Sequence, residues 1–280
     1  GILNEAQRRQ NAVASINIYS LESIRGALLA AQDHNAPIIL SFATRYQKNI
    51  SLSQAAYLAM SCSQDLSVPF TLHLDHCSDM ALIQTALKSG FTSVMYDGSA
   101  LPFQENASRT KQVVDWAHEF GASTEAELGA IRTGLNAAED SGDRQMYTDP
   151  AEAAEFVALT GVDALAVSIG TVHGMYQGTP HIRVDVLQAI HEAVDIPLVL
   201  HGGSGTGKAL LQETIRNGIC KVNINTEISM YCIDQIRRLL ETQPYPHLSE
   251  LALKEIQCVK EAAGQYIDLL SMNDNQGGIL

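Results

Sequence analysis

The sequence predicts a (β/α)8 barrel, the TIM barrel, on three observations. Eight short β-prone runs recur, eight helix-length amphipathic runs alternate with them, and polar residues gather at only one end of the strands. The strand runs are Val13–Ile18, Ile38–Phe42, Phe70–Leu74, Ser93–Tyr96, Ser123–Glu127, Ala164–Ser168, Leu198–Leu200 and Lys221–Ile224. Between them, apolar residues three and four apart mark helices over Leu21–His34, Leu52–Leu66, Asp79–Ser89, Asn106–Phe120, Ala151–Thr160, Val184–Ala193, Gly207–Asn217 and Glu227–Leu240. Strand-helix alternation implies parallel strands joined by helical crossovers, and eight such units close a barrel. An open doubly wound sheet fits less well, because Asn17-Ile18-Tyr19-Ser20 follows the first strand where a glycine-rich fingerprint belongs. Leu248–Leu270 reads as an extra C-terminal helix, Gly1–Gln10 as the end of another helix, and Asn273–Leu280 as a frayed tail.

At 280 residues and 46% apolar content the chain suits one domain of barrel size, spanning 1–280. A formal charge of −13 argues against nucleic acid and anionic membranes as partners, since both reward basic surface. With no apolar run of membrane-spanning length and no basic-then-apolar leader, a cytoplasmic, soluble protein is expected. The five cysteines include no C-x-x-C pair and read as reduced thiols.

In such a barrel all strand carboxyl ends face one mouth, so polar residues there meet even when distant in sequence. Asn17 ends the first strand, His73, Asp75 and His76 the third, Asp97 the fourth, and Glu125 and Glu127 the fifth. His173 follows the sixth, His201 ends the seventh and Asn223 the eighth. A histidine from each of three strands supplies the protein ligands of an open catalytic zinc site, with a carboxylate alongside as acid or base. The alternative for any single strand-end Asp or His is a helix cap. No lysine falls at this mouth by this reading, Lys221 starting its strand at the far face, which disfavours Schiff-base chemistry. His201-Gly202-Gly203-Ser204-Gly205 ahead of one helix, and Asn223-Ile224-Asn225-Thr226 ahead of the next, offer backbone donors for a phosphate. A loop of about twenty residues between Leu128 and Thr148 reads as a lid carrying Glu139 and Asp140 to the mouth.

Taken together, LHLDH (Leu72–His76), GFTSVMYDGS (Gly90–Ser99), ENASRT (Glu105–Thr110), EAELG (Glu125–Gly129), YTDP (Tyr147–Pro150), TGVDALAVSIGTVHG (Thr160–Gly174), PLVLHGGSG (Pro197–Gly205) and KVNINTE (Lys221–Glu227) resemble the class II, metal-dependent ketose-bisphosphate aldolases. The tagatose-bisphosphate branch is the more similar one. The resemblance implies zinc on His76, His173 and His201, with Asp97 and Glu127 supporting or sharing the metal. It implies Asp75 as acid/base at the cleaved bond and Glu139 as the group that moves the donor's carbon-bound proton. It also implies a donor phosphate held by Gly174, Gly202, Gly203, Ser204, Asn223, Asn225 and Thr226, partly through a monovalent cation (Na+ or K+), and a substrate contact at Asn17. A homodimer or homotetramer acting on a small phosphorylated sugar is the family's pattern.

Departures from that pattern bear on the substrate. Ala43 stands where the family has Ser or Thr, Gln177 where it has Lys, and the lid lacks a glycine pair. No arginine follows Arg238, although bisphosphate-cleaving members use one there for the aldehyde's phosphate. The expectation is therefore a zinc-dependent aldolase cleaving a ketose 1-phosphate or 1,6-bisphosphate to dihydroxyacetone phosphate and an aldehyde, the absent arginine favouring an aldehyde half without phosphate. A zinc hydrolase on the same barrel and a metal-binding homologue with impaired catalysis are the other two readings.

Overall fold

The computed structural model describes residues 1–129, 132–133, 147–174 and 180–272, leaving aside the side chains of 132, 133 and 173. Eight parallel strands, β1 (Val13–Asn17), β2 (Ile38–Ala43), β3 (Phe70–Cys77), β4 (Ser93–Tyr96), β5 (Ser123–Leu128), β7 (Ala164–Val167), β9 (Leu198–Leu200) and β10 (Ile219–Ile224), close in the order β1-β10-β9-β7-β5-β4-β3-β2. This is the (β/α)8 barrel the alternation predicts. Two further strands, β6 (Arg132–Thr133) and β8 (Val172–His173), pair with each other. At two residues each they carry no periodicity for the sequence to betray.

Strands β1, β2, β4, β7, β9 and β10 are buried at every position, as parallel strands are when helices cover one face and barrel side chains fill the other. Those helices begin where local hydrogen bonding tells them to. Ser20 and Ser51 form capping boxes on α2 (Leu21–Asp33) and α3 (Leu52–Cys62), and Asp149 with Pro150 opens α6 (Pro150–Thr160). Asp79 caps α4 (Met80–Ser89) by accepting from Ala81 N at 2.8 Å, worth about 1 kcal/mol. The capping role open to a strand-end Asp thus falls to Asp79 and leaves Asp75 for another use. Helix α5 (Phe103–Glu119) starts three residues earlier than expected, because Pro102 fits the helix entrance.

The expected C-terminal helix, α10 (Leu248–Leu270), lies against α2. Gly26 makes the approach possible, since a Cβ there would stand 2.6 Å from Val259 Cβ. From α10 the Tyr266 hydroxyl donates to Glu227 at the start of α9 (Thr226–Thr242), and Glu227 Oε2 accepts the Gly205 N–H at 2.9 Å. The helix added beyond the eighth unit therefore braces the glycine turn at the mouth. Among the described residues no helix is long and apolar enough to cross a membrane.

Candidate active site

His76 occupies a kink. Along β3 successive side chains alternate, so a regular strand would aim His76 away from Asp75. Between Leu74 and Cys77 the β3–β4 register gains a residue, and His76 takes φ 44°, the left-handed region that branched or bulky residues avoid. The bulge swings the imidazole into the mouth beside Asp75. There His76 Nε2 lies 2.8 Å from His201 Nδ1, at the end of β9. The opposite nitrogens each meet a carboxylate: Asp97 Oδ2 is 2.9 Å from His76 Nδ1, and Glu125 Oε1 is 2.9 Å from His201 Nε2. Ser99 fixes Asp97 in turn, its hydroxyl donating at 2.6 Å.

Asp75, 3% exposed, accepts from Asn223 Nδ2 at 3.2 Å and Asn17 Nδ2 at 3.4 Å. The two amides predicted to touch substrate therefore also hold this carboxylate. Burial alone would raise its pKa, but the imidazoles of His76 and His201 and the Lys221 ammonium hold it well below the usual carboxylate range. Burial likewise works against a charge on His76, yet Asp75, the hydrogen bond to Asp97 and the charge of Glu127 raise it to about 9. Glu127 is pushed up to about 8 by burial, with His76 opposing and the neighbouring carboxylates adding.

A second layer lies deeper in the barrel, and it corrects three expectations. His73 shares the inward face with Asp75 but stands beneath the mouth, its Nδ1 2.8 Å from Ser93 Oγ and its Nε2 3.2 Å from Lys221 Nζ. Glu125 is not a mouth carboxylate either, because its Oε2 accepts from Lys221 Nζ at 2.6 Å inside the barrel. Lys221 does not open its strand: β10 begins at Ile219, and a register irregularity between Ile219 and Lys221 delivers the ammonium, 1% exposed, to the interior.

Above these layers a cavity of about 630 Å³ opens between the β2, β9 and β10 loops. Asn17, Asp75, His76, Asp97, Glu127, Gly174, Gly202, Ser204, Asn223, Asn225 and Thr226 line it, all predicted members of the site. Gly202 takes φ 70°, and a Cβ there would meet Val172 O at 2.2 Å, so only glycine fits this turn. Gly203 and His201 stand behind the wall, both buried. Asn225, at the start of α9, gives the helix no side-chain cap, and Ser204 Oγ meets the N–H groups of Asn225 and Glu227 at 3.4 Å each. A helix start that its own N-cap residue leaves unbonded, met by Ser204 only at this long distance and lying beside a glycine turn, suits an anion. Arg45 also lines the cavity, a residue that no strand or helix pattern singles out. Its guanidinium donates to Tyr46 Oη at 3.0 Å, and Asn225 Nδ2 donates to the same oxygen at 3.1 Å. Ala43 lines the cavity without a hydroxyl to offer. Glu139 and Gln177 lie outside the described residues, as does the side chain of His173, whose backbone sits in β8.

The donor set fits a divalent metal. Ligand atoms of Asp75, His76 and His201 lie within 4.8 Å of one another, and those of His76, Asp97 and Glu127 form a second such group. Glu127 Oε2 is buried with no hydrogen-bond partner among the described residues, an orphan that a nearby cation would satisfy. Carboxylates behind both imidazoles match the way proteins orient metal-binding histidines.

A closed parallel barrel that gathers imidazoles and carboxylates beside a glycine turn at its C-terminal mouth has the build of a barrel enzyme. The profile of the family described as "Fructose-bisphosphate aldolase class-II" matches residues 1–275, and the chain belongs to that family. The Escherichia coli K12 protein YdjI, described as uncharacterized, is 37% identical over 266 residues, covering 95% of this chain and 94% of that one. The crystal structure of the YdjI aldolase superposes with a TM-score of 0.86 at 36% identity, covering 96% of this chain and 95% of its own. A candidate fructose-1,6-biphosphate aldolase from Coccidioides immitis gives 0.86 at 31% identity, covering 96% and 94%. The protein is an aldolase, a carbon-carbon lyase.

Proposed function

We propose that the enzyme reversibly cleaves a ketose 1-phosphate to dihydroxyacetone phosphate and an aldehyde that carries no phosphate, with zinc at the mouth. The observation that carries this reading is the meeting of His76 Nε2, on the wall of the mouth cavity, with His201 Nδ1 just behind it at 2.8 Å, beside Asp75 and in a cavity that the start of α9 also lines. His76 and His201 hold the zinc, together with His173 as the resemblance implies, while Asp97 and Glu127 support it. When bound, the ion supplies positive charge against the anion that forms as the carbon-carbon bond parts.

The chain's own groups do the rest. Asp75, ionised and fixed by Asn17 and Asn223, takes the proton of the hydroxyl next to the breaking bond. The bond's electron pair passes to the ketone half, and a proton returned to that carbon, assigned to Glu139, completes dihydroxyacetone phosphate. The phosphate sits against Gly202, Ser204, Asn225 and Thr226, with Gly174 and a monovalent cation alongside, while Gly203, its N–H bonded to Asn223 O at 3.1 Å, shapes the turn from behind. The absence of an arginine between Arg238 and Leu280 favours an aldehyde half without a second phosphate. The same reading takes the chain as one domain of a cytoplasmic homodimer or homotetramer, a state that sedimentation measures.

A coupled assay for triose phosphate, run on zinc-loaded protein with ketose 1-phosphates and 1,6-bisphosphates, tests the proposal. Higher kcat/KM on a monophosphate is expected. Preference for a bisphosphate overturns the assignment of the aldehyde half, and no turnover of either at full zinc content overturns the reaction.

A further inference from the structure

Beneath the mouth, one carboxylate faces two donors. Glu125 Oε1 accepts from His201 Nε2 at 2.9 Å, and Glu125 Oε2 accepts from Lys221 Nζ at 2.6 Å. All three residues are at most 2% exposed, and none of the steps above uses Glu125 or Lys221. Lys221 has a second acceptor in His73 Nε2 at 3.2 Å, which places the His73 proton on Nδ1 toward Ser93 Oγ. A buried lysine inside a barrel is costly unless its charge is matched, and Glu125 matches it. A purely structural ion pair would explain Lys221 and Glu125 Oε2. It would not explain why the other oxygen is spent on the back of His201.

From this geometry we infer that Glu125, clamped by Lys221, is a positioning residue that decides which nitrogen of His201 faces the metal. The inference rests on the metal reading of the mouth and extends it to a layer that touches neither metal nor substrate. An imidazole whose Nε2 proton is accepted by Glu125 keeps its lone pair on Nδ1, the nitrogen turned toward His76. Lys221 holds the second oxygen, so the carboxylate has no freedom to rotate away from His201.

The clamp makes one substitution behave in a way that packing does not predict. In Glu125→Gln a single amide oxygen must serve two donors, and the Lys221 ammonium is the stronger claimant. The amide NH2 then faces His201 Nε2, which must give up its proton and carry it on Nδ1, where a metal should bind. Zinc affinity, measured by competition with a chromophoric chelator, is expected to fall about 10- to 100-fold. Adding Lys221→Met releases the oxygen, lets the amide turn over and restores the native tautomer. E125Q/K221M should therefore bind zinc more tightly than E125Q, a rescue by a second substitution that itself makes no contact with His201.

Native affinity in E125Q, or no recovery in E125Q/K221M, overturns the positioning role. Circular dichroism establishes folding before each titration. Where E125Q does not fold, E125Q/K221M is compared with E125L/K221M, both free of buried charge there. Loss of zinc affinity only in the leucine variant supports the role, and equal affinity overturns it. Native protein that takes up no zinc overturns the metal reading itself, and this inference with it. Native protein with tightly held zinc and no difference among variants overturns the positioning role alone.

Discussion

His201 Nδ1 and His76 Nε2 stand 2.8 Å apart across the barrel mouth, close enough that in the metal-free protein a proton lies between them. His76 is the ring that carries it, being raised to about 9 where burial is outweighed by Asp75, Asp97 and Glu127. A metal entering the site must displace that proton.

Zinc binding at pH 7 should therefore release at least one proton, with Glu127, raised to about 8 chiefly by burial, contributing a further fraction. Affinity should rise about tenfold per pH unit from 7 toward 9 and level off above. Calorimetric titration in buffers of different ionisation enthalpy counts the protons, and a count of zero would refute the proton-blocked site. The sign carries to stability. Both groups hold protons more tightly folded than unfolded, so their contribution is present below the unfolded pKa values and is lost as pH rises through about 8 and 9. The Tm of chelator-treated protein should accordingly fall between pH 7 and 9.

Replacing Asp75 separates chemistry from metal binding. Asp75→Asn keeps the size of the side chain between Asn17 and Asn223 while removing the charge that the proposed mechanism uses as proton acceptor. Cleavage should drop by about 10²- to 10⁴-fold in kcat. Zinc content should stay near that of native protein, by elemental analysis. If zinc leaves with the carboxylate, Asp75 is a ligand and the acid/base assignment fails.

Arg45 offers a test of how the phosphate is held. Its guanidinium and the Asn225 amide share Tyr46 Oη, which sets the cation beside the start of α9, and Ala43 next to it supplies no hydroxyl. In the condensation direction Arg45→Ala should raise KM for dihydroxyacetone phosphate about tenfold, as expected for one charge-assisted hydrogen bond of about 1.5–3 kcal/mol lost in part to solvent. KM for the aldehyde should hardly move. A rise in the aldehyde KM alone would place Arg45 at the other end of the substrate.

What repeats is legible in this sequence, and what breaks the repeat is not. Strand-helix alternation put each of the eight barrel strands within two residues of its observed start, because buried parallel strands have a composition of their own. Convergence of Asp75, His76, Asp97, Glu127, His201 and Asn223 followed from barrel closure alone. His73, Glu125 and Lys221 were misplaced because depth along the barrel axis depends on register, and the bulge near Lys221 shifts that register by an amount no local pattern encodes. Arg45 escaped notice since it lies in a 3-10 turn (Thr44–Lys48) after β2, where neither helix nor strand period applies. The bulge at His76 was invisible for the same reason, although the cluster of polar residues there pointed at the right strand end.

Gly202 ties the glycine turn, proposed to hold the phosphate, to the strand that carries His173. With φ 70° and Val172 O only 2.2 Å from where a Cβ would be built, an alanine here meets both an unfavourable backbone region and a backbone atom that has no rotamer to move into. Left-handed conformation alone costs about 1–2 kcal/mol for alanine. Relief of the contact must push Val172, and with it β8, away from the turn. Gly202→Ala should lower the Tm by several degrees and weaken both phosphate binding and zinc binding, the latter read by chelator competition. Were zinc affinity untouched while KM for the ketose phosphate rose, Val172 would be shown to yield without carrying His173, and the coupling between cradle and metal site would be refuted.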